Sequence, residues 1–249
     1  VKYAARSDVG RKREQNEDAW RVVLNQAGQP VGLVVADGMG GHQAGEVASR
    51  IAVEVMGDTL RNCAEIGSCL EDVEQLLRDG LAEANQEILA YAARNLSGVS
   101  SGTTLTAAYL DGPMLLLVHL GDSRAYLLRN GAVRQLSRDH TWVAELVASG
   151  ALRQEEVKSH PERNKITRAL GFEMDMQPDF LWERLLPEDQ LLLCTDGLTE
   201  YVSEAEMAET LMRHTPQEAA ARLVDLANRR GGRDNITVVI AAVEPGDLP

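Results

Sequence analysis

The sequence predicts an α+β fold in which antiparallel sheets are covered by helices. Three observations carry this reading. Short apolar runs recur along the chain, turn dipeptides join several of them at hairpin spacing, and segments of helical period lie between them out of strand order.

Residues 31–36 form the first run, apolar throughout and so suited to a strand covered on both faces. Residues 45–61 follow with Val47, Ile51 and Val55 at four-residue spacing, which predicts a helix. Residues 70–95 place Val73, Leu77, Leu81, Ala84, Ile88 and Tyr91 at alternating steps of four and three, a long amphipathic stripe. Residues 105–109 and 114–120 then read as strands joined through Asp111-Gly112-Pro113. Asn130-Gly131 joins strand 125–128 to 133–136, because both residues accept the positive φ of a tight hairpin turn. Residues 190–194 and 236–243 are further strands. Between these two, residues 217–230 carry Ala220, Leu223 and Ala227 on one helical face, after the cap Thr215 and the first-turn Pro216.

No repeat, low-complexity tract or linker interrupts the 249 residues, so one domain is expected over residues 1–244, with 245–249 as a frayed tail. The net charge of −13 argues against nucleic acid as a partner, since phosphate backbones recruit clustered Lys and Arg. Three cysteines at irregular spacing fit neither a disulfide framework nor a zinc site, and Cys194 reads as a buried hydrophobe. No run approaches the roughly 20 apolar residues of a membrane helix, and Val1-Lys2-Tyr3-Ala4 lacks a leader pattern. A cytoplasmic, monomeric protein is expected.

The chemistry is signalled by where certain aspartates fall. Asp37 ends the strand at 31–36, Asp196 follows the one at 190–194, Asp122 follows the one at 114–120, and Asp234 precedes the last. Singly, each reads as a turn residue, and Asp111-Gly112 is read only so. Together, on strand ends that antiparallel pairing brings to one side, they could converge on a rigid platform. Converging carboxylates repel one another unless cations pair them, and hard oxygen donors in this number suit Mg²⁺ or Mn²⁺ with waters completing the octahedra. Gly38, lacking Cβ, would let a backbone carbonyl approach such an ion. Upstream, Arg13 could grip phosphate oxygens while Glu17 and Asp18 bind metal or its waters; the alternative is a solvated charge run.

Six segments in order resemble the metal-dependent protein phosphatases (the PPM or PP2C-like family) in their bacterial form. They are Asn16-Glu17-Asp18-Ala19, Asp37-Gly38-Met39-Gly40-Gly41-His42, Ser101-Gly102-Thr103-Thr104, Gly121-Asp122-Ser123-Arg124, Thr195-Asp196-Gly197-Leu198 and Gly232-Arg233-Asp234-Asn235-Ile236-Thr237. The resemblance spans residues 6–243. It implies a four-layer αββα sandwich, two antiparallel sheets flanked by helix pairs, with a two-metal site at one end. It further implies Asp37 as the bridging ligand, the Gly38 carbonyl on one ion, Asp196 and Asp234 on the other, and Asp122 with Asp196 at a third, weaker position. Glu17 and Asp18 match ligands acting partly through water, and Arg13 matches the phosphate-binding arginine. Residues 139–171 match a flap beside the site, with His160 and Asn164 as candidate substrate contacts. Eukaryotic members carry a histidine directly after the Asp-Gly as candidate general acid; here Met39 stands there, leaving His42 or a metal-bound water for that role.

The implied reaction is direct hydrolysis of phosphoserine and phosphothreonine in proteins by a metal-bridged hydroxide, opposing a bacterial serine/threonine kinase that is itself a candidate partner. A phosphocysteine route is disfavoured, since no cysteine is followed six positions later by arginine. A P-loop is absent. The competing readings are a catalytically weak phosphatase-like sensor and a two-metal phosphatase of small phosphoesters.

Overall fold

The apolar runs are strands whose two faces serve different cores. A computed structural model of the chain describes residues 1–40, 44–66, 70–96, 100–172 and 176–247. In chain order the elements begin with β1 (Lys2–Asp8), β2 (Asp18–Leu24), β3 (Pro30–Met39), α1 (Ala44–Ile66) and α2 (Leu70–Asn95). Then come β4 (Gly102–Thr103), β5 (Leu105–Asp111), β6 (Met114–Leu120), β7 (Arg124–Arg129), β8 (Ala132–Gln135) and α3 (Trp142–Ala148). The chain continues with β9 (Asp179–Arg184), β10 (Gln190–Cys194), α4 (Asp196–Thr199), α5 (Glu204–Arg213), α6 (Pro216–Arg230) and β11 (Ile236–Ala242).

One antiparallel sheet runs β1-β11-β10-β7-β8, and the other runs β2-β3-β5-β6-β9, with β4 paired to the end of β3. Alternate residues of each central strand point to opposite faces. Leu33 and Val35 of β3, Leu115 and Leu117 of β6, Leu127 of β7, Leu193 of β10 and Val239 of β11 meet between the sheets. Their neighbours Val34, Ala36, Leu116 and Val118 turn outward onto Met56 and Leu60 of α1 and Leu77 and Ile88 of α2. On the far side Tyr126, Leu192, Val238 and Ile240 pack against Met207 and Leu211 of α5 and Leu223 and Val224 of α6. The layers are therefore helix, sheet, sheet, helix, as the resemblance implied. Each fully buried leucine in these cores contributes about 1.5–3 kcal/mol relative to exposure.

The hairpin turns form where expected. Gly112 has φ +52° between paired Asp111 and Met114, and Asn130 and Gly131 have φ +52° and +79°. Asp79-Gly80, by contrast, lies inside α2, where Gln75 donates to the Asp79 carboxylate one turn on at 2.9 Å. Strands β1, β2, β4 and β9 and helices α3, α4 and α5 are additions to the elements read from the sequence. Helix α5 is closed at its start by a capping box, in which the Ser203 hydroxyl accepts from Glu206 N–H and the Glu206 carboxylate accepts from Ser203 N–H. At the end of the described chain, Glu244 N–H donates to the Asp247 carboxylate at 2.6 Å, and Lys2 pairs with Glu244 at 2.6 Å.

Pairing registers bring the aspartates to one end. Asp18 is the direct partner of Asp37 across β2 and β3. Cys194, the last residue of β10, pairs with Val238 of β11 and with Arg124 of β7. Asp196 thus lies two residues past the end of β10, while Asp234 and Asp122 lie two before β11 and β7.

Candidate metal centre

Asp37 is fixed through both polar groups of its backbone. Its N–H donates to the Thr104 hydroxyl at 2.9 Å, and its carbonyl accepts from Thr104 N–H and the Thr103 hydroxyl, both at 2.9 Å. The Thr104 hydroxyl also meets the Ser123 hydroxyl at 2.8 Å, tying the segment of Asp37 to that of Asp122. Position 38 must be glycine for a packing reason. A Cβ there would lie 2.2 Å from the Gly45 carbonyl oxygen and 2.6 Å from that of Glu17. Its absence lets the first turn of α1 close on β3, a more specific demand than the open approach read from the sequence.

Asp18, Asp37, Asp122, Asp196 and Asp234 all keep partial exposure, and strong mutual repulsion marks them as one cluster. Burial pushes the Asp37 carboxyl well above the usual carboxylate range, reinforced by Asp18, Asp196, Asp122 and Asp234. Burial also raises Asp18 to about 7 against the hydrogen bonds from Thr237 and Thr195, with Asp196 and Asp234 adding repulsion. Asp196 is raised to about 6 by burial, then by Asp234 and Glu200. Asp122 is pushed well up by burial and by Asp196. Glu17 is raised by burial, which outweighs the attraction of Arg13.

This donor set fits hard divalent cations. One oxygen of Asp18 and one of Asp196 are buried with no hydrogen-bond partner, the condition in which a carboxylate is costly unless a cation takes it. Among the described residues no three His, Cys, Asp or Glu side chains close around a single point. Carboxylate oxygens are hard donors of the kind that Mg²⁺ and Mn²⁺ take, with waters completing the shell.

The rim is set by Asn235, which the sequence reading did not single out as functional. Its buried amide donates to the carbonyls of Val9 at 2.9 Å and Gln15 at 2.9 Å and accepts from Glu17 N–H at 2.8 Å. Those three bonds shape the loop that carries Arg13 and Glu17 toward the cluster. Arg13 reaches Asp234 at 2.8 Å and is half-exposed, so it lies at the cluster's edge.

Residues 10–228 match the protein phosphatase 2C family. This chain belongs to that family. Among similar proteins, the serine/threonine phosphatase stp of Listeria monocytogenes is 42% identical over 236 residues, covering 94% of this chain and 93% of that protein. The crystal structure of the Mycobacterium tuberculosis serine/threonine phosphatase PstP/Ppp aligns with TM-score 0.86 and 40% identity over 98% of this chain and 99% of that one. A catalytic domain of the phosphatase PstP, in complex with two manganese ions, aligns with TM-score 0.83 and 38% identity over 98% of each chain.

Other expected site residues of this phosphatase 2C chain fall differently. His42 lies outside the described residues. His160 follows a short 3₁₀ turn, where its ring Nδ1 accepts from Glu162 N–H at 3.2 Å, and Asn164 is exposed. Neither makes a described bond to the carboxylate cluster. Their segment is anchored at its start by a bidentate ion pair from Arg124 to Asp139 (2.6 and 2.8 Å) and at its end by a bridge between Thr103 and Leu170. Between those anchors, Arg163 approaches Glu200, next to the Asp196 helix, at 3.8 Å. His119 is a satisfied core residue: it bonds the Thr106 hydroxyl at 2.9 Å and the Arg138 carbonyl at 3.0 Å, and burial lowers it to about 4.

Proposed function

We propose that this protein removes phosphate from phosphoserine and phosphothreonine in proteins, with the aspartate cluster as a metal-dependent active centre. The buried, unpartnered oxygens of Asp18 and Asp196 beside Asp37 carry the reading, because they are donors prepared for cations. Asp37, the Gly38 carbonyl, Asp196 and Asp234 would hold two Mn²⁺ or Mg²⁺ ions. Asp122 with Asp196 would offer a third position, and Glu17 and Asp18 would act through bound water. When bound, such ions supply an activated water and Lewis-acid stabilisation of the phosphoryl oxygens.

The chain's own residues do the positioning. Arg13 has donors to spare after its bond to Asp234, since guanidinium carries five N–H groups. It would take two phosphoryl oxygens in fork geometry and hold phosphorus in line with the attacking oxygen. The Asn235-braced loop fixes where that fork points. The flap from about 139 to 171, with His160 and Asn164, would contact the protein substrate beside the cleft. His42 or a water would protonate the leaving serine or threonine oxygen. The phosphoprotein substrates would include a serine/threonine kinase, and the protein would act as a cytoplasmic monomer.

Hydrolysis of a phosphothreonine peptide and of nucleoside phosphates, each with added Mn²⁺, tests the substrate class. Peptide turnover should exceed nucleotide turnover; activity confined to nucleotides would make this a small-phosphoester enzyme. Arg13→Ala should lower kcat/KM on the peptide by about 10- to 100-fold, the worth of a charge-assisted bond pair. Mn²⁺ affinity should stay equal or tighten, because Asp234 loses a competing cation. A weaker Mn²⁺ affinity with unchanged kcat/KM would reassign Arg13 to the metal centre.

A further inference from the structure

Two motif residues of the cluster, Thr195 and Thr237, have no part in the chemistry described so far, yet both are fully buried. Thr195 directly follows β10 and Thr237 lies on β11 of the same sheet, while Asp18 belongs to β2 in the other. Their hydroxyls cross the sandwich to the same atom: Thr195 donates to Asp18 Oδ2 at 2.9 Å and Thr237 donates to it at 2.7 Å. The other oxygen, Oδ1, is the buried one left without a partner.

Hydrogen counting fixes the direction of the bonds. A threonine hydroxyl has one proton, and Asp18 has none once a cation takes the place of its proton, so both hydroxyls must then donate to it. Thr237 then has only lone pairs for Ser7, 2.8 Å away, so the Ser7 hydroxyl donates to it. Ser7 in turn accepts from the Asn16 amide at 2.8 Å, and Asn16 accepts from Asp18 N–H at 3.2 Å. Thr195 accepts from Thr237 N–H at 3.0 Å, which leaves its proton free for Asp18. Each hydroxyl in this set gives one proton and accepts one. The set ends on Oδ2 and leaves Oδ1 as its one unused acceptor.

We infer that Thr195 and Thr237 are positioning residues that clamp Asp18 across the two sheets and thereby aim its free oxygen at a divalent cation or a water bound to one. The inference rests on the metal-centre reading proposed above and assigns the orientation of one of its carboxylates to two residues outside it. Without the hydroxyls the Asp18 side chain could rotate, and Oδ2 would itself need a donor. Outer partners of metal ligands typically change metal affinity by about 10- to 100-fold when removed.

Calorimetric Mn²⁺ titration of the full chain, with the melting temperature of the chelated protein measured in parallel, tests the clamp. Thr237→Val and Thr195→Val keep shape and lose the hydroxyl; Thr237→Ser and Thr195→Ser keep the hydroxyl. Each valine variant should weaken Mn²⁺ binding by about tenfold or more, and each serine variant should stay within about threefold of wild type. Should a valine variant fail to fold, Ser7→Ala reads the same set from its outer end. It should weaken Mn²⁺ severalfold, because Thr237 keeps its proton for Asp18 but loses the Ser7 donor that restrains its hydroxyl. Valine variants that bind Mn²⁺ like wild type, with or without a lower melting temperature, would reduce the threonines to packing and overturn the clamp. A wild-type protein that Mn²⁺ does not bind, or an Asp37→Asn variant that binds it equally well, would instead overturn the metal centre and the clamp with it.

Discussion

Asp37→Asn is expected to lower phosphothreonine-peptide hydrolysis by at least about 10³-fold, about 4 kcal/mol of lost transition-state stabilisation. Asp37 sits at the electrostatic centre of the cluster, with Asp18, Asp196, Asp122 and Asp234 all acting on it. An amide keeps its shape but cannot bridge cations with two anionic oxygens. The fold should not suffer. The backbone bonds that hold residue 37 to Thr103 and Thr104 do not involve the side chain. Removing one of several repelling carboxylates should leave the metal-free protein at least as stable as wild type, which thermal melting in chelator would show. A variant that is both inactive and strongly destabilised would mean that Asp37 serves the fold first.

The metal-free protein should also lose stability as pH rises from about 6.5 to 8. Asp18 and Asp196 are raised to about 7 and about 6, and Asp37 and Asp122 are raised well above the ordinary value. Groups with raised folded-state pKa keep protons that the unfolded chain has already released. Stability is then full below the unfolded value and falls as pH climbs through the folded one. The buried histidines act oppositely, since burial lowers His119 to about 4 and also lowers His140, but most of the His119 contribution is already in place at about pH 6.5. Above that, the carboxylates decide the slope. Asp18, raised to about 7, gives up its proton within this interval, which alone costs about 1 kcal/mol, or about 2–4 °C in melting temperature, and Asp37 and Asp122 act in the same direction. Mn²⁺ should reverse the trend, because cations replace the protons. A melting temperature in chelator that is flat or rises over this interval would mean that the carboxylates do not form one buried repelling cluster.

The aspartates were legible in the sequence because each stands beside an apolar run. Residues 31–36, 114–120 and 190–194 are buried on both faces, so their composition alone reveals strands and their ends. Strands β1 and β2 escaped because Lys2, Arg6, Asp8 and Arg21 break the apolar pattern where the sheets have edges. The same applies to β9, which carries Asp179, Glu183 and Arg184 at the opposite edge of its sheet. Helix α5 is only ten residues long, too short for a stripe, and its capping box was the available signal. What no local pattern could reveal is a partner far along the chain. Asn235 acts on a loop more than 200 positions away, and the Thr195 and Thr237 hydroxyls reach Asp18 from 177 and 219 positions. Only the pairing of two sheets brings them together. Gly38 taught a related lesson, since its requirement lies in the approach of α1 to β3, which its neighbours in sequence do not disclose.

The central claim is that converging carboxylates around Asp37 hold the cations on which phosphoprotein hydrolysis depends. Its most direct test is turnover of a phosphothreonine peptide by exhaustively chelated protein, measured before and after Mn²⁺ is returned. Turnover should be absent in chelator and recover on addition of Mn²⁺; turnover that persists undiminished in chelator would contradict the claim.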